Sequence, residues 1–344
     1  MSKAQKTTLI VATVLLVCGL VITTGAFAAV GFDPRNLTTT RDWTAAVRTL
    51  PAESEAPHTS IIVRDTAENV RVERTSSDSI EVEFWENESK HFEVVDENGM
   101  LTITGTSEPR INFMVIDFDD RTTIIRIPHE YAGTLSIETG SGNIDASDLE
   151  NLESLSATAQ SGNVSAHRIA ADRADLQASS GNIEARDVEA GRLAASALSG
   201  DIRVNGANAS ELAVSSTSGN IEFDDVTATD LRATALSGNI TVARCSGDAI
   251  VLEAASGNVR TQIQGTPEEY DIDASSTSGN VNAPRGTIDA DKYVSVRTAS
   301  GDVEITFVGG ATQSDRASRE NESLLSESPE APESPEAPEP PKAP

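Results

Sequence analysis

The sequence is short of aromatic rings, cysteine, histidine and positive charge. Aromatic residues make up 4% of its 344 positions, so a thick core of large side chains is excluded. Two cysteines cannot build a disulfide framework. Four histidines, His58, His91, His129 and His167, are scattered without ligand spacing, which argues against a zinc site. Lys and Arg number 26 against 54 Asp and Glu, a formal net charge of −28. A chain of that sign lacks the clustered positive surface that phosphate backbones need, so nucleic acid is not an expected partner. No phosphate-cradling loop and no Ser/His/Asp set is present, and no cofactor or metal is expected. What remains open to such a composition is a thin, elongated core of small residues.

One long apolar run is present. Residues 9–30 carry no charged side chain, and about 20 apolar residues span a bilayer as a helix. Lys3 and Lys6 precede the run and Asp33 follows it. The positive-inside tendency puts residues 1–8 in the cytoplasm and everything after the run outside, attached to the membrane through this helix. A cleaved signal peptide is the alternative: Ala26-Phe27-Ala28 fits a small-x-small site, and cleavage near Ala28 yields a secreted chain. Cys18 lies inside the run as a buried thiol. Residues 31–57, punctuated by Pro34, Pro51 and Pro57, read as a linker. Within it, Arg41–Leu50 is expected to form a short helix with Trp43, Ala46, Val47 and Leu50 on one side, or a loosely ordered stalk.

A repeat dominates the rest. Ser-Gly-Asn/Asp recurs with glycines at Gly142, Gly162, Gly181, Gly200, Gly219, Gly238, Gly257, Gly279 and Gly301, spaced 20, 19, 19, 19, 19, 19, 22 and 22 residues apart. Such a period marks one structural unit stacked on the next. Two residues after each glycine stand Ile144, Val164, Ile183, Ile202, Ile221, Ile240, Val259, Val281 and Val303. All are β-branched, which predicts strand positions with buried side chains. Apolar columns also stand seven and five residues before the glycine, for example Leu212 and Val214, with polar residues between. This is period-two alternation on both sides of a turn. Nineteen residues are too few for a strand, a crossover helix and turns, but suit one coil of a β-solenoid. The fold expected is all-β: a parallel β-helix of about nine coils over 131–308, stacked in sequence order. Right-handed winding follows from the handedness of parallel crossovers.

Glycine at the corner supplies a positive φ without a Cβ clash. The next residue reads Asn143, Asn163, Asn182, Asp201, Asn220, Asn239, Asn258, Asn280 and Asp302, and stacked Asn side chains form hydrogen-bond ladders. The preceding serines, beginning at Ser141, form a second polar column. Calcium is the competing reading, but seven of the nine positions are neutral Asn, whereas calcium asks for converging oxygens. Cys245, seven residues after Gly238, aligns with Leu149, Ile169, Val188, Ala207, Val226 and Val308, so a buried inert thiol is expected.

Residues 58–130 lack the glycine period but read as strands, which predicts a β-rich N-terminal cap. The candidates are Ser60–Val63, Asn69–Glu73, Ile80–Trp85, His91–Val95, Leu101–Thr104, Ile111–Phe118 and Thr122–Ile127, with Asn98-Gly99 as a hairpin turn. Residues 309–344, rich in Ser, Glu, Ala and Pro, bury too little to offset ordering and read as disordered.

The run Thr122-Thr-Ile-Ile-Arg-Ile-Pro128, followed by Leu-x-Ile-x-Thr-x-Ser-Gly-Asn-Ile from Leu135, resembles the DUF4097 family, whose members are often labelled putative adhesins. The resemblance covers 58–308. It implies a bacterial or archaeal surface β-helix without catalytic residues, linked in some members to envelope stress. A non-catalytic module binding a cell-envelope or surface glycan or protein is the function expected, with an envelope-stress sensor as the alternative. A polysaccharide-active enzyme is the third reading. For it, the outward row Glu184, Arg203 and Glu222 is the one candidate set, and alternating charge on a solvated face is its plainer explanation.

Overall fold

The computed structural model describes residues 43–51, 58–87, 90–107 and 121–309. The expected membrane segment 9–30, the flanking residues 1–8, the strand Ile111–Phe118 and the tail from 310 lie outside them. Among the described residues, no helix is long and apolar enough to cross a membrane.

The described chain is a β-solenoid with nearly no helix. Its strands before the repeat are β1 (Thr44–Pro51), β2 (Ser60–Asp65), β3 (Asn69–Thr75), β4 (Ser79–Glu86), β5 (Lys90–Glu97), β6 (Met100–Ser107) and β7 (Thr122–Pro128). The repeat supplies β8 (Thr134–Thr139), β9 (Ile144–Ala159), β10 (Val164–Ser180), β11 (Ile183–Ser199), β12 (Ile202–Asn205), β13 (Asn208–Ser218) and β14 (Ile221–Ser237). It closes with β15 (Ile240–Ser246), β16 (Ala249–Ser256), β17 (Val259–Gly265), β18 (Tyr270–Ser278), β19 (Val281–Asn282), β20 (Lys292–Ser300) and β21 (Val303–Gly309). A 3-10 turn, Pro267–Glu269, precedes β18.

Each glycine-marked coil is one rung, with a strand on either side of the corner, and rungs pair in parallel. Val164, for example, sits between Ile144 and Ile183, and Leu193 pairs with Leu212. Alternation then sends every second side chain inward. Ile144, Val164, Ile183, Ile202, Ile221, Ile240, Val259 and Val303 are buried, as are Leu155, Leu176, Leu212 and Leu231 from the strand before the corner. Alanines such as Ala157, Ala185 and Ala233 fill much of the remaining interior, which is why so few aromatics suffice.

A second corner follows six residues after the glycine. Asp148, Arg168, Asp187, Gly206, Asp225 and Arg244 all have φ between 52 and 66°. Left-handed backbone tolerates Asp and turns a chain sharply. The next residue then points inward again, as Leu149, Ile169 and Val188 do.

The rungs follow sequence order only in the middle. At the C-terminal end, β16 and β17 pair with β20 and β21, and these in turn pair with β18 and β19. The Gly301 rung therefore lies between those of Gly257 and Gly279. The two 22-residue spacings are the trace of this: the chain steps out past one rung, then returns to fill it. The N-terminal end mirrors the arrangement. There β2 lies between β6 and β8, and β3 between β7 and β9. The antiparallel strands β5 on β6, β4 on β7 and β1 on β4 are added at that end. Asn98-Gly99, both at positive φ, makes the tight turn between β5 and β6.

Four expectations are corrected. Val281 is 44% exposed instead of buried, because its two-residue strand belongs to the last rung and pairs on one side only, with β21. Val308 is exposed too. A register shift after Val242 aligns Cys245 with Ile263, and Ile263 with Phe307. Residues 44–51, inside the expected linker, form strand β1 and not a helix, because β4 offers eight paired positions that a helix would forgo. The terminal coils stack out of sequence order.

Candidate functional site

The surface is built from columns, and the Ser-Gly-Asn corner is the most regular of them. Its glycine is required by a close approach. A Cβ on Gly162 would lie 1.9 Å from the carbonyl oxygen of Gly142, and on Gly219 2.0 Å from that of Gly200. The same contact recurs at Gly181, Gly200, Gly238, Gly257, Gly279 and Gly301, and Gly142 meets the Glu68 carbonyl. Positive φ accompanies this at the later corners, from 144 to 156° at Gly200, Gly219, Gly238, Gly257, Gly279 and Gly301.

The residue after the glycine links rungs through its side-chain oxygen. Asn163 N donates to Asn143 Oδ1 at 2.8 Å, Asn182 N to Asn163 Oδ1 at 2.8 Å, and Asp201 N to Asn182 Oδ1 at 2.9 Å. The series continues through Asn220, Asn239 and Asn258, then to Asp302 and last Asn280, in spatial order. It begins one rung earlier than the motif, where Asn143 N donates to Asn69 Oδ1 at 2.7 Å. The N–H of the next rung demands an acceptor oxygen, which Asp201 and Asp302 supply as Asn does, and the amide of the Asn on the following rung donates back to each carboxylate. Three residues before the glycine, Ser216, Ser276 and Thr298 donate to a neighbouring rung's glycine carbonyl, a role the repeat pattern did not reveal. Outside these, the serine column from Ser141 to Ser300 is exposed along its whole length.

Glu184, Arg203 and Glu222 do lie on successive rungs. Arg203 Nε donates to Glu222 Oε2 at 2.9 Å, and Glu184 is taken up by Arg186 on its own strand. Both glutamates are thus satisfied by exposed guanidinium groups, and such pairs contribute about 0–1 kcal/mol each. Arg168 and Asp148 form a further pair in the second-corner column, where the guanidinium holds the Asp148 carboxyl below its usual range. An open groove runs beside Asp175, Gln177, Arg192, Ser196, Ser215 and Thr234, without an enclosed cavity.

Cys245 is fully buried, and burial pushes its thiol up to about 11, with Thr261 Oγ1 3.9 Å away. It is un-ionised at neutral pH and inert. Among the histidines, His58 is buried with Nε2 3.1 Å from Asp96, and His167 lies 4.0 Å from Glu184. No group of three or more His, Cys, Asp or Glu placed to hold a metal ion occurs among the described residues.

One buried charge cluster sits in the N-terminal cap, unsignalled by any motif. Lys90 Nζ lies 2.8 Å from Asp65 Oδ1 and 3.4 Å from Glu68, with both members of the first pair shielded from water. Asp65 Oδ1 also accepts from the N–H groups of Ala67 and Glu68, which fixes the bend between β2 and β3. Burial raises the Glu68 carboxyl, and the Lys90 and Arg121 charges oppose that shift. Arg121 stacks over the Trp43 ring at 3.7 Å, tying the start of β1 to the cluster.

The family model described as Toastrack DUF4097 matches residues 58–153 and 148–306. No curated protein matches the sequence. Two solved structures of low identity are similar over most of their length. A putative adhesin of Parabacteroides merdae is 13% identical with a TM-score of 0.44, over 79% of this chain and 98% of that one. One of Bacteroides fragilis is 14% identical with a TM-score of 0.42, over 77% and 97%.

Proposed function

This chain belongs to the Toastrack DUF4097 family, and from that membership and the columned surface we propose a non-catalytic, adhesin-type surface-binding module. In this reading residues 9–30 hold it to a membrane, the coils wind right-handed, and the solenoid stands outside the cell. The supporting observation is the unbroken outward serine column beside ion-paired acidic rows, repeated at the rung spacing of about 4.8 Å. A surface of that kind offers many equal, weak polar contacts at a fixed interval, which suits a polymeric partner such as an envelope glycan or an extended surface protein better than a single small molecule. The outward carboxylates are paired with arginines instead of converging on one point, which favours binding over hydrolysis.

The test is direct. The full chain in mild detergent is screened against cell-wall glycans and matrix proteins. Binding that falls stepwise when Ser199, Ser218 and Ser237 are replaced by Lys supports the reading, and no binding to any polymer defeats it. Cell fractionation with protease protection tests the orientation: protection of the solenoid from external protease contradicts the outside placement.

A further inference from the structure

Among the described residues lysine occurs only at Lys90 and Lys292, and surface carboxylates such as Glu222 are met by arginine. The shielded pair in the cap uses lysine instead. The difference is chemical: an amine can be acylated, whereas a guanidinium stays charged. Lys90 Nζ lies 2.8 and 3.1 Å from the two oxygens of Asp65 and 3.4 Å from Glu68 Oε1. The Lys90 and Asp65 side chains are 3% and 0% exposed. Phe92, packed on Phe84, walls the site, with its ring centroid 4.9 Å from Nζ. Gly105 leaves the room for this: a Cβ there would lie 2.8 Å from the Phe92 ring and 3.1 Å from Asp65 Oδ2. Arg121 also faces the cluster, 3.9 Å from Glu68.

We propose that Lys90 and Asp65 condense to an isopeptide bond once the cap has folded, with Glu68 carrying the proton and one water leaving. A proton passed along the 2.8 Å contact gives an amine and a carboxylic acid. Nζ then bonds to Cγ, and the negative charge that develops on Oδ1 meets the N–H groups of Ala67 and Glu68, already 3.1 and 3.2 Å from that oxygen. Glu68 takes a proton from the nitrogen and returns it to Oδ2. The Cγ–Oδ2 bond breaks, and Oδ2 departs as water with its two protons. No oxidant, metal or cofactor enters the balance. Burial raises the Glu68 carboxyl, as a group that holds and releases a proton requires. Effective molarity for well-oriented partners reaches about 10⁵ M or more, and the amide replaces a buried ion pair with an uncharged group. The bond ties β5 to β2 across β6 and closes residues 65–90, with β3 and β4, into a covalent loop.

Peptide mapping by mass spectrometry of the full chain, denatured and digested with trypsin, tests this. A free Lys90 is cut, releasing residues 65–71 alone and splitting 75–110 in two. The expected product is 65–71 joined to an uncut 75–110, lighter than their sum by one water. Glu68→Gln, with its fold checked by circular dichroism, keeps both reacting groups and is expected to slow linking roughly a hundredfold. A parent chain cut cleanly after Lys90, with 65–71 released alone, overturns the proposal without recourse to any variant. So does a link that forms at an undiminished rate in Glu68→Gln.

Discussion

At position 220 the chain uses both ends of an amide. Asn220 Oδ1 accepts the Asn239 N–H, while Asn220 N donates to the carboxylate of Asp201. Asn220 Nδ2 also donates to Asp201 Oδ1 at 3.3 Å, so Asn220→Asp sets two carboxylates against each other and, like Asn220→Ala, is expected to cost roughly 1 kcal/mol, read by urea denaturation. Gly219→Ala is expected to cost more than either, because the added carbon meets a backbone carbonyl that has no rotamer to change. Cys245 gives a pH signature. Its folded pKa of about 11 stands above the unfolded value near 9, so the folded state holds its proton longer. Stability is full below pH 9 and falls as pH rises toward 11, by roughly 3 kcal/mol at most. Cys245→Val should remove that alkaline decline relative to the parent. At this scale the glycine, Ile/Val and Asn columns were legible because repetition multiplies a weak signal ninefold. The second corner was not: Asp, Arg and Gly all adopt left-handed φ there, so no single residue type marks the column.

Elements were legible where alternation was strict and lost where partners decided the outcome. Strands β2 to β7 fall within two or three residues of their expected bounds, since Ile61, Val63, Val70 and Val72 alternate cleanly. β1 was misread because Trp43, Ala46, Val47 and Leu50 fit a helical stripe, yet the open edge of β4 supplies a ladder that local spacing cannot announce. The cluster holding β5 to β2 was equally hidden, since Lys90 and Asp65 are 25 residues apart and belong to no motif. Lys90→Met leaves Asp65 buried without its cation and is expected to cost about 3–5 kcal/mol in chemical denaturation. Adding Asp65→Leu should recover only part of that, because the Ala67 and Glu68 N–H groups then lose their acceptor. Full recovery in the double variant would show that the bend does not depend on Asp65.

For the whole molecule, the solenoid class followed from one number, the 19-residue period, whereas the order of its ends did not, because parallel columns read alike whichever neighbour they stack on. Only the change from 19 to 22 residues hinted at it. The order has a mechanical side. A stack built in sequence order would let a tug on its last strand peel one rung at a time from the end. Here the final strands β20 and β21 are gripped on both faces, by β16 and β17 and by β18 and β19. Tension applied at residue 309 must slide them out along their length, breaking two rows of bonds together. A tether fastened there would hold its load by shear and resist being unzipped.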